Sequence, residues 1–307
     1  MRGKTILITG GAGFIGSHLA SHFSTHNMVT VLDDLSSGSR DNLKGLELKF
    51  VRGSILNRRL VKRLCKGADF VFHLAAMASV QSSIADPERC FRVNVGGSLN
   101  LLKAAVEGKV KKFIFSSSAA VYGESPELPK RETMLPVPIS PYAASKLAVE
   151  HQCIVYNRLY GLPFVCLRLF NVYGPKQDPK SQYSGVISKF IAAALARQQL
   201  IVFGDGLQTR DFVYVGDVVN SFEAAIRDGN GIFNIASGAT TTINSLASVL
   251  VRITHSSSII IHKPCKPGDI MHSRASIRKA VSKLKWLPRM QLARGLAETV
   301  AWQNQKV

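Results

Sequence analysis

The sequence predicts an α/β fold: a doubly wound parallel sheet with a smaller C-terminal α/β lobe. Three observations carry this. Short apolar runs alternate with amphipathic, helix-like stretches up to about Asn171. Several of the runs are apolar almost throughout, as parallel strands buried on both faces must be. The first run, Ile6-Leu7-Ile8, leads directly into Gly10-Gly11-Ala12-Gly13-Phe14-Ile15-Gly16, a glycine cluster set between a strand and a helix.

Strands are expected in order at Thr5–Thr9, Val29–Leu32, Leu48–Val51, Phe70–Leu74, Lys112–Ser116 and Phe164–Leu169. Helices between them give βαβ units. From about Asn171 the alternation loosens and turn signals multiply, among them Gly174-Pro175 and Gly204-Asp205-Gly206. A first domain is expected over residues 1–171, and a smaller lobe mainly over 172–307.

The chain has 307 residues, 46% of them hydrophobic, enough to bury a large core. Its opening apolar run is too short for a signal peptide, and no stretch approaches the roughly 20 apolar residues of a membrane span. Cys65, Cys90, Cys153, Cys166 and Cys265 are scattered and odd in number. They read as buried reduced thiols in a cytoplasmic protein. No metal-ligand cluster is evident.

The net charge is +19. Lys and Arg concentrate at Arg58-Arg59, Lys62-Arg63-Lys66, Lys109-Lys111-Lys112 and between Arg278 and Arg289. Attraction to anionic ligands, membranes or nucleic acid is one reading. Solvated helix faces are the preferred one. The basic segments carry few aromatics for stacking on bases, so neither a nucleic-acid nor a membrane partner is expected.

Tyr142 and Lys146 are four residues apart, on one face of a helix. A nearby ammonium favours the phenolate, so Tyr142 is expected to act as a base below its free pKa of about 10. Ser116-Ser117-Ser118 follows the strand-like Phe113-Ile114-Phe115. A dinucleotide site, a serine and this Tyr/Lys pair together describe hydride transfer.

Gly10, Gly13 and Gly16 let the backbone turn tightly and approach a pyrophosphate at the helix N-terminus, with Phe14 and Ile15 between them. Asp33 ends the second strand, 17 residues after Gly16. A carboxylate there accepts from both ribose hydroxyls and repels a 2′-phosphate. Asp34 adds a second negative charge, and Arg40 is the first arginine to follow. NAD is therefore expected rather than NADP.

Nine segments in order resemble the extended short-chain dehydrogenase/reductases, in particular the nucleotide-sugar epimerases. They are TGGAGFIGSH from Thr9, VLDDLSSG from Val31, HLAA from His73, NVGGSLNLL from Asn94, SSSAAVYG from Ser116, YAASK from Tyr142, RLFNVYGP from Arg168, GDGLQTRDFVYVGDV from Gly204 and PGDIMHSRAS from Pro267. The resemblance implies a Rossmann-type fold, with the chain returning to the sheet around Phe212–Ala236.

It further implies that Tyr142 is the general base and acid, and that Lys146 holds the nicotinamide ribose and lowers the tyrosine pKa. Ser118 would bond the reacting sugar oxygen. Ala75, Ala76 and Asn94 match positions lining the cofactor. Ser54 stands where relatives carry Asp toward the adenine amino group. Asn171 and Arg210 match residues that hold the diphosphate of a nucleotide sugar, and Lys266 replaces a second arginine. For Arg210 the plain alternative is a salt bridge with Asp211 or Asp217. Val186 lies in a segment, from Gln177 to Ile187, similar to that of epimerases accepting N-acetylhexosamines. Ser273 matches the position gating the sugar pocket, where a small side chain leaves room for an N-acetyl group.

Related dehydratases place an Asp-Glu pair just after the position of Ser118, and decarboxylases place a Glu there. This chain has Ala119-Ala120. The expected activity is therefore NAD-dependent 4-epimerisation of UDP-hexoses through a 4-keto intermediate, with UDP-glucose/galactose and their N-acetylated forms as substrates. A UDP-glucuronate epimerase is the nearest alternative. A non-catalytic NAD-binding regulator or nucleic-acid-binding protein is the alternative of a different class. A homodimer is expected, because Leu147, Val149, Ile154 and Val155 on one helix, with Leu99, Leu101, Leu102 and Val106 on another, offer more apolar surface than one sheet face needs.

Overall fold

The structure is a computed structural model, and it describes residues 1–179, 185–265 and 270–305. Its first half runs β1 (Thr5–Thr9), α1 (Phe14–Ser24), β2 (Met28–Asp33), β3 (Lys49–Arg52), α2 (Arg58–Cys65), β4 (Phe70–His73), α3 (Val80–Ala85), α4 (Pro87–Phe91), α5 (Gly97–Glu107), β5 (Lys112–Ser118), α6 (Pro141–Tyr160) and β6 (Phe164–Leu169). It continues with β7 (Asn171–Tyr173), α7 (Val186–Leu195), β8 (Leu200–Phe203), β9 (Thr209–Arg210), β10 (Phe212–Tyr214), α8 (Val215–Arg227), β11 (Gly231–Ile235), β12 (Thr241–Thr242), α9 (Ile243–Ile253), β13 (Ile260–Lys263) and α10 (Leu292–Asn304).

Seven parallel strands form the central sheet in the order β11-β6-β5-β4-β1-β2-β3. The order reverses between β1 and β4, which opens a crevice at the C-terminal ends of the strands. Ile6, Ile8, Phe72, Ile114 and Leu167 bury one face of the sheet under Leu19 and Phe23 of α1 and Val218 and Phe222 of α8. Leu7, Val71, Phe113, Phe115 and Cys166 bury the other face under α2, α5 and α6. This two-sided burial is why the strands read as nearly unbroken apolar runs. The chain returns to the sheet as α8 and β11. Phe212–Tyr214 instead pairs with β7.

A third core joins α7, α9 and α10 through Ile191, Leu246, Leu250 and Leu296, with Tyr173 and Phe212. Small paired strands, β13 with β8 and β12 with β9, complete this part.

Four of the cysteines are buried thiols, but Cys265 is exposed. The basic residues of α2 are exposed, as a solvated face requires. Lys112 differs: its Nζ donates to the carbonyls of Ala225, Ile226, Asp228 and Gly229 at 3.0 to 3.5 Å. It satisfies the otherwise open C-terminus of α8. Among the described residues no helix is long and apolar enough to cross a membrane.

One ion pair is wholly buried. Arg168 on β6 donates from Nε to Glu150 Oε1 at 2.9 Å and from Nη2 to Oε2 at 2.7 Å. Ser117 Oγ on β5 donates to the same carboxylate at 2.6 Å. Removing one partner leaves an uncompensated buried charge. Arg168→Met is therefore expected to destabilise the fold by about 3–5 kcal/mol, read from denaturant unfolding. Adding Glu150→Gln should restore part of the loss.

Candidate active site

A cleft of about 920 Å³ occupies the crevice at the reversal point of the sheet. Gly10, Gly13, Phe14, Ile15, Gly16, Asp33, Ala75, Ala76, Ser118, Tyr142 and Lys146 all line it. Residues from five separate segments thus meet where the fold leaves an opening.

The glycine turn is sterically committed. Gly10 has φ +72°, and a Cβ there would lie 2.6 Å from the Ala75 nitrogen. At Gly16 a Cβ would lie 2.1 Å from the Gly10 carbonyl oxygen. At Gly13 an added Cβ would meet only that oxygen, at 3.3 Å. α1 begins without a side-chain cap and without an acidic residue in its first turn. Its leading N–H groups and dipole are therefore offered to an anion in the cleft.

Asp33 is buried, and burial raises its carboxyl above the usual range. Its Oδ2 accepts from Ala12 N at 2.9 Å, and its Oδ1 from Leu35 N at 2.8 Å. Each oxygen keeps a lone pair for a ribose hydroxyl. The donors, the bare backbone at Gly13 and this carboxylate fit a dinucleotide without a 2′-phosphate.

Ser118 ends β5, and its Oγ accepts from Ala120 N at 3.2 Å. Tyr142 and Lys146 stand on α6, which is started by Ser140 and Pro141 and stopped by Gly161 in the left-handed region. Burial raises the Tyr142 phenol above its ordinary value, and a hydrogen bond with Ser118 opposes the rise. Burial lowers Lys146 to about 8. Its Nζ donates to the Ser116 carbonyl at 2.7 Å and lies 5.7 Å from the Tyr142 ring centroid. The expected depression of the tyrosine pKa is thus absent in this arrangement. Desolvation is the largest influence on the phenol, and the Lys146 ammonium is engaged with a backbone carbonyl.

Two cofactor candidates lie differently from expectation. Ser54 does not line the cleft; its neighbours Gly53 and Ile55 do. Its Oγ instead accepts from Leu56 N at 3.2 Å, closing its own turn. Asn94 is buried behind the wall. It holds Met77 from both sides, accepting from its N–H at 2.7 Å and donating to its carbonyl at 3.1 Å. A further 2.9 Å bond runs from Asn94 Nδ2 to Ser145 Oγ on α6. Asn94 therefore positions the cofactor wall and α6.

Asn171, Val186, Arg210 and Ser273 lie beyond the walls of this cleft. Three of them share one backbone cluster. Asn171 Nδ2 donates to the Asp211 carbonyl at 3.2 Å, and Ser273 N donates to the Thr209 carbonyl at 3.1 Å. Arg210 Nη1 donates to the Thr209 carbonyl at 2.9 Å. The Asp211 carboxylate is occupied by Ser237, Gly238 and Ala275, and that of Asp217 by the backbone of Arg289 and Met290. Val186 opens α7 against the third core. Lys266 lies outside the described residues, as do Lys180–Ser184 and Pro267–Asp269.

The sequence signals gave no role to other residues of the cleft wall: Ser36–Gly38, within the motif that begins at Val31, and Ser39, Asp41, Asn42, Arg89, Lys176 and Trp302, outside any motif.

The NAD dependent epimerase/dehydratase family matches residues 6–236. The chain belongs to this family. Its fold is of the extended short-chain dehydrogenase/reductase type, and NAD is its cofactor. The UDP-glucose 4-epimerase of Mycolicibacterium smegmatis is 38% identical over 98% of each chain. Among solved structures, a UDP-N-acetylglucosamine 4-epimerase from Methanobrevibacter ruminantium, in complex with UDP-N-acetylmuramic acid, is 39% identical with a TM-score of 0.97 over 100% of both chains. A UDP-glucose 4-epimerase with UDP-glucose from Thermotoga maritima is 40% identical with a TM-score of 0.95, over 98% of this chain and 99% of that one. These relatives mark the chain as an NAD-dependent isomerase of the UDP-sugar 4-epimerase group.

The second and third glycines of the turn separate fold from binding. Gly16→Ala should lower the melting temperature sharply, because its Cβ meets backbone. Gly13→Ala should lower the melting temperature much less, its Cβ meeting only the Gly10 oxygen at 3.3 Å, and should weaken NAD binding, because Gly13 lines the cleft at the start of α1. Thermal melts beside NAD titration calorimetry check both outcomes.

Proposed function

We propose that the protein interconverts UDP-hexoses at C4, acting on UDP-glucose/UDP-galactose and on their N-acetylated forms. The observation that carries this is the wall at the end of β5. Ser118, Tyr142 and Lys146 line one cleft, and the residues after Ser118 are Ala119 and Ala120, half-buried in a short 3₁₀ turn. That wall supplies one proton-transfer pair and no added acid and base of the kind an elimination uses.

Bound NAD supplies the hydride acceptor and donor. Tyr142 takes the proton of the 4-hydroxyl and returns it after the sugar turns over. Ser118 bonds the same oxygen. Lys146, with a pKa near 8, remains mostly protonated at neutral pH and places a cation beside Tyr142. Asn171 and Arg210 would grip the diphosphate from the second lobe, leaving the hexose loosely held so that both faces present C4. Ser273, beside Thr209, leaves space for an N-acetyl group. The complex of the Methanobrevibacter relative with an N-acetylated UDP-sugar supports this breadth.

The test is to incubate the purified protein with UDP-glucose, UDP-N-acetylglucosamine and UDP-glucuronate, without added reductant, and to resolve the products. Conversion of the first two to their 4-epimers is expected. A strong preference for the glucuronate would favour the alternative epimerase. Tyr142→Phe should keep NAD bound and lose turnover by roughly two to four orders of magnitude.

A symmetric homodimer is also proposed, on only part of the apolar surface expected, extended by neighbouring residues. Leu101, Leu102 and Val149 are buried in the protein's own core, whereas Leu99, Val155, Leu159, Tyr160, Phe91 and Ile84 are exposed. Light scattering at micromolar concentration should give twice the monomer mass, and Leu159→Glu should halve it.

A further inference from the structure

Lys176 reaches the cofactor cleft from a segment remote in sequence from the glycine turn. It follows Gly174-Pro175 in the loop after β7 and lines the cleft together with Gln177, Asp178 and Pro179. That loop is tied to the cofactor side twice. Lys176 Nζ donates to the Asn42 carbonyl at 2.9 Å. His18 Nε2, on α1, bonds the Pro175 carbonyl at 2.8 Å. A carbonyl only accepts, so Nε2 carries the hydrogen. Burial lowers the His18 pKa, which keeps the ring neutral in this role.

Both anchors belong to the glycine turn and its helix. Asn42 Nδ2 donates to the Ala12 carbonyl at 2.9 Å, and His18 lies one turn along α1 from Phe14. Lys176 itself has φ +68°, in the left-handed region that a lysine rarely adopts. Such a conformation persists where the surroundings fix it. Here the two ties do so. The glycine turn, Gly10 to Gly16, brings no cationic side chain of its own. Among the described residues, the other cations on the cleft wall are Lys146, held against Ser116, and Arg89 of α4.

We propose that Lys176 is a cofactor-holding residue: strapped to Asn42 across the cleft, its ammonium faces the diphosphate bridge of NAD and slows its release. The α1 N-terminus supplies partial charge and the lysine supplies a full one. The strap also continues from β7, which begins at Asn171, so the loop that retains the cofactor grows out of the part proposed to hold the sugar nucleotide.

The experiment loads the purified protein, Lys176→Met and Lys176→Arg with NAD and follows release in a chase with excess unlabelled NAD. Adenosine binding is measured beside it by calorimetry, as a neutral fragment that lacks the diphosphate. Circular dichroism checks the fold. Lys176→Met should release NAD roughly tenfold faster or more, the scale of one charge-assisted hydrogen bond. Lys176→Arg should stay near the unmutated rate, and adenosine should be unaffected. Unchanged NAD release from Lys176→Met overturns the proposal. Equal weakening of NAD and adenosine also overturns it, since the residue would then act only by fastening the loop. If the unmutated protein holds no NAD, the cofactor assignment fails and the proposal fails with it.

Discussion

The Glu150 carboxylate and the Arg168 guanidinium are both buried, and the placement of the reactive groups depends on their pairing. Desolvation opposes each charge on its own. The pair persists because its geometry is bidentate and Ser117 fills a further site on the carboxylate. For Arg168, burial works against the charge, but the bonds and charge of Glu150 outweigh it and hold the pKa high. Glu150 is four residues after Lys146, which is four after Tyr142. The three share one stripe of α6. Fixing Glu150 on β6 fixes the rotation of that stripe about the helix axis, and so aims Tyr142 and Lys146 at the end of β5. The same guanidinium lies 4.7 Å from the Tyr122 ring centroid, and Tyr122 donates to Asn234 on β11 at 2.6 Å. The returning strand is thus bound to the same charge.

Much of the fold was legible because burial on two faces leaves a plain mark. Thr5–Thr9 and Phe164–Leu169 match their strands, and the other four expected strands differ only by one or two residues at their ends. β5 runs on through Ser117 and Ser118 because those residues pair with Arg168 and Leu169 through backbone, to which side-chain polarity is indifferent. Glu150 and Lys112 were not legible. Each reads as a solvated charge at a polar position. Their burial is decided by partners elsewhere: Arg168 on another element for the first, the open end of α8 for the second. Helical spacing showed that α5 and α6 have wide apolar faces. It did not tell Leu101 and Val149, which meet the sheet, from Leu99 and Leu159, which face outward.

The site divides the same way. Spacing and local context reveal the glycine turn, Asp33, Ser118, Tyr142 and Lys146, because their partners are near in sequence or follow from the strand order. Ser54 and Asn94 sit at recognisable positions, yet what their side chains do is settled by hydrogen bonds that sequence does not display. One closes a local turn and the other clamps Met77. The sign of the Tyr142 shift was also beyond spacing. An ammonium four residues away favours the phenolate, but burial disfavours it, and the depth of that burial is set by residues distant in sequence.

Charge is graded along the cleft, and the gradient gives a ligand its direction. Asp33, Asp34 and Asp41 make one end acidic, suited to hydroxyl donors and hostile to phosphate. The uncapped start of α1 and Lys176 make the middle positive. At the other end burial keeps Tyr142 a neutral phenol and lowers Lys146 to about 8, so that its ammonium gives up a proton more readily than a free lysine does. A dinucleotide laid in reverse would set a phosphate against carboxylates or leave the helix N-terminus without an anion. The penalty falls on binding, before any chemistry. Orientation is thus set by fixed groups of the glycine turn and β2, which leaves Tyr142 free to change charge during a cycle without loosening the ligand.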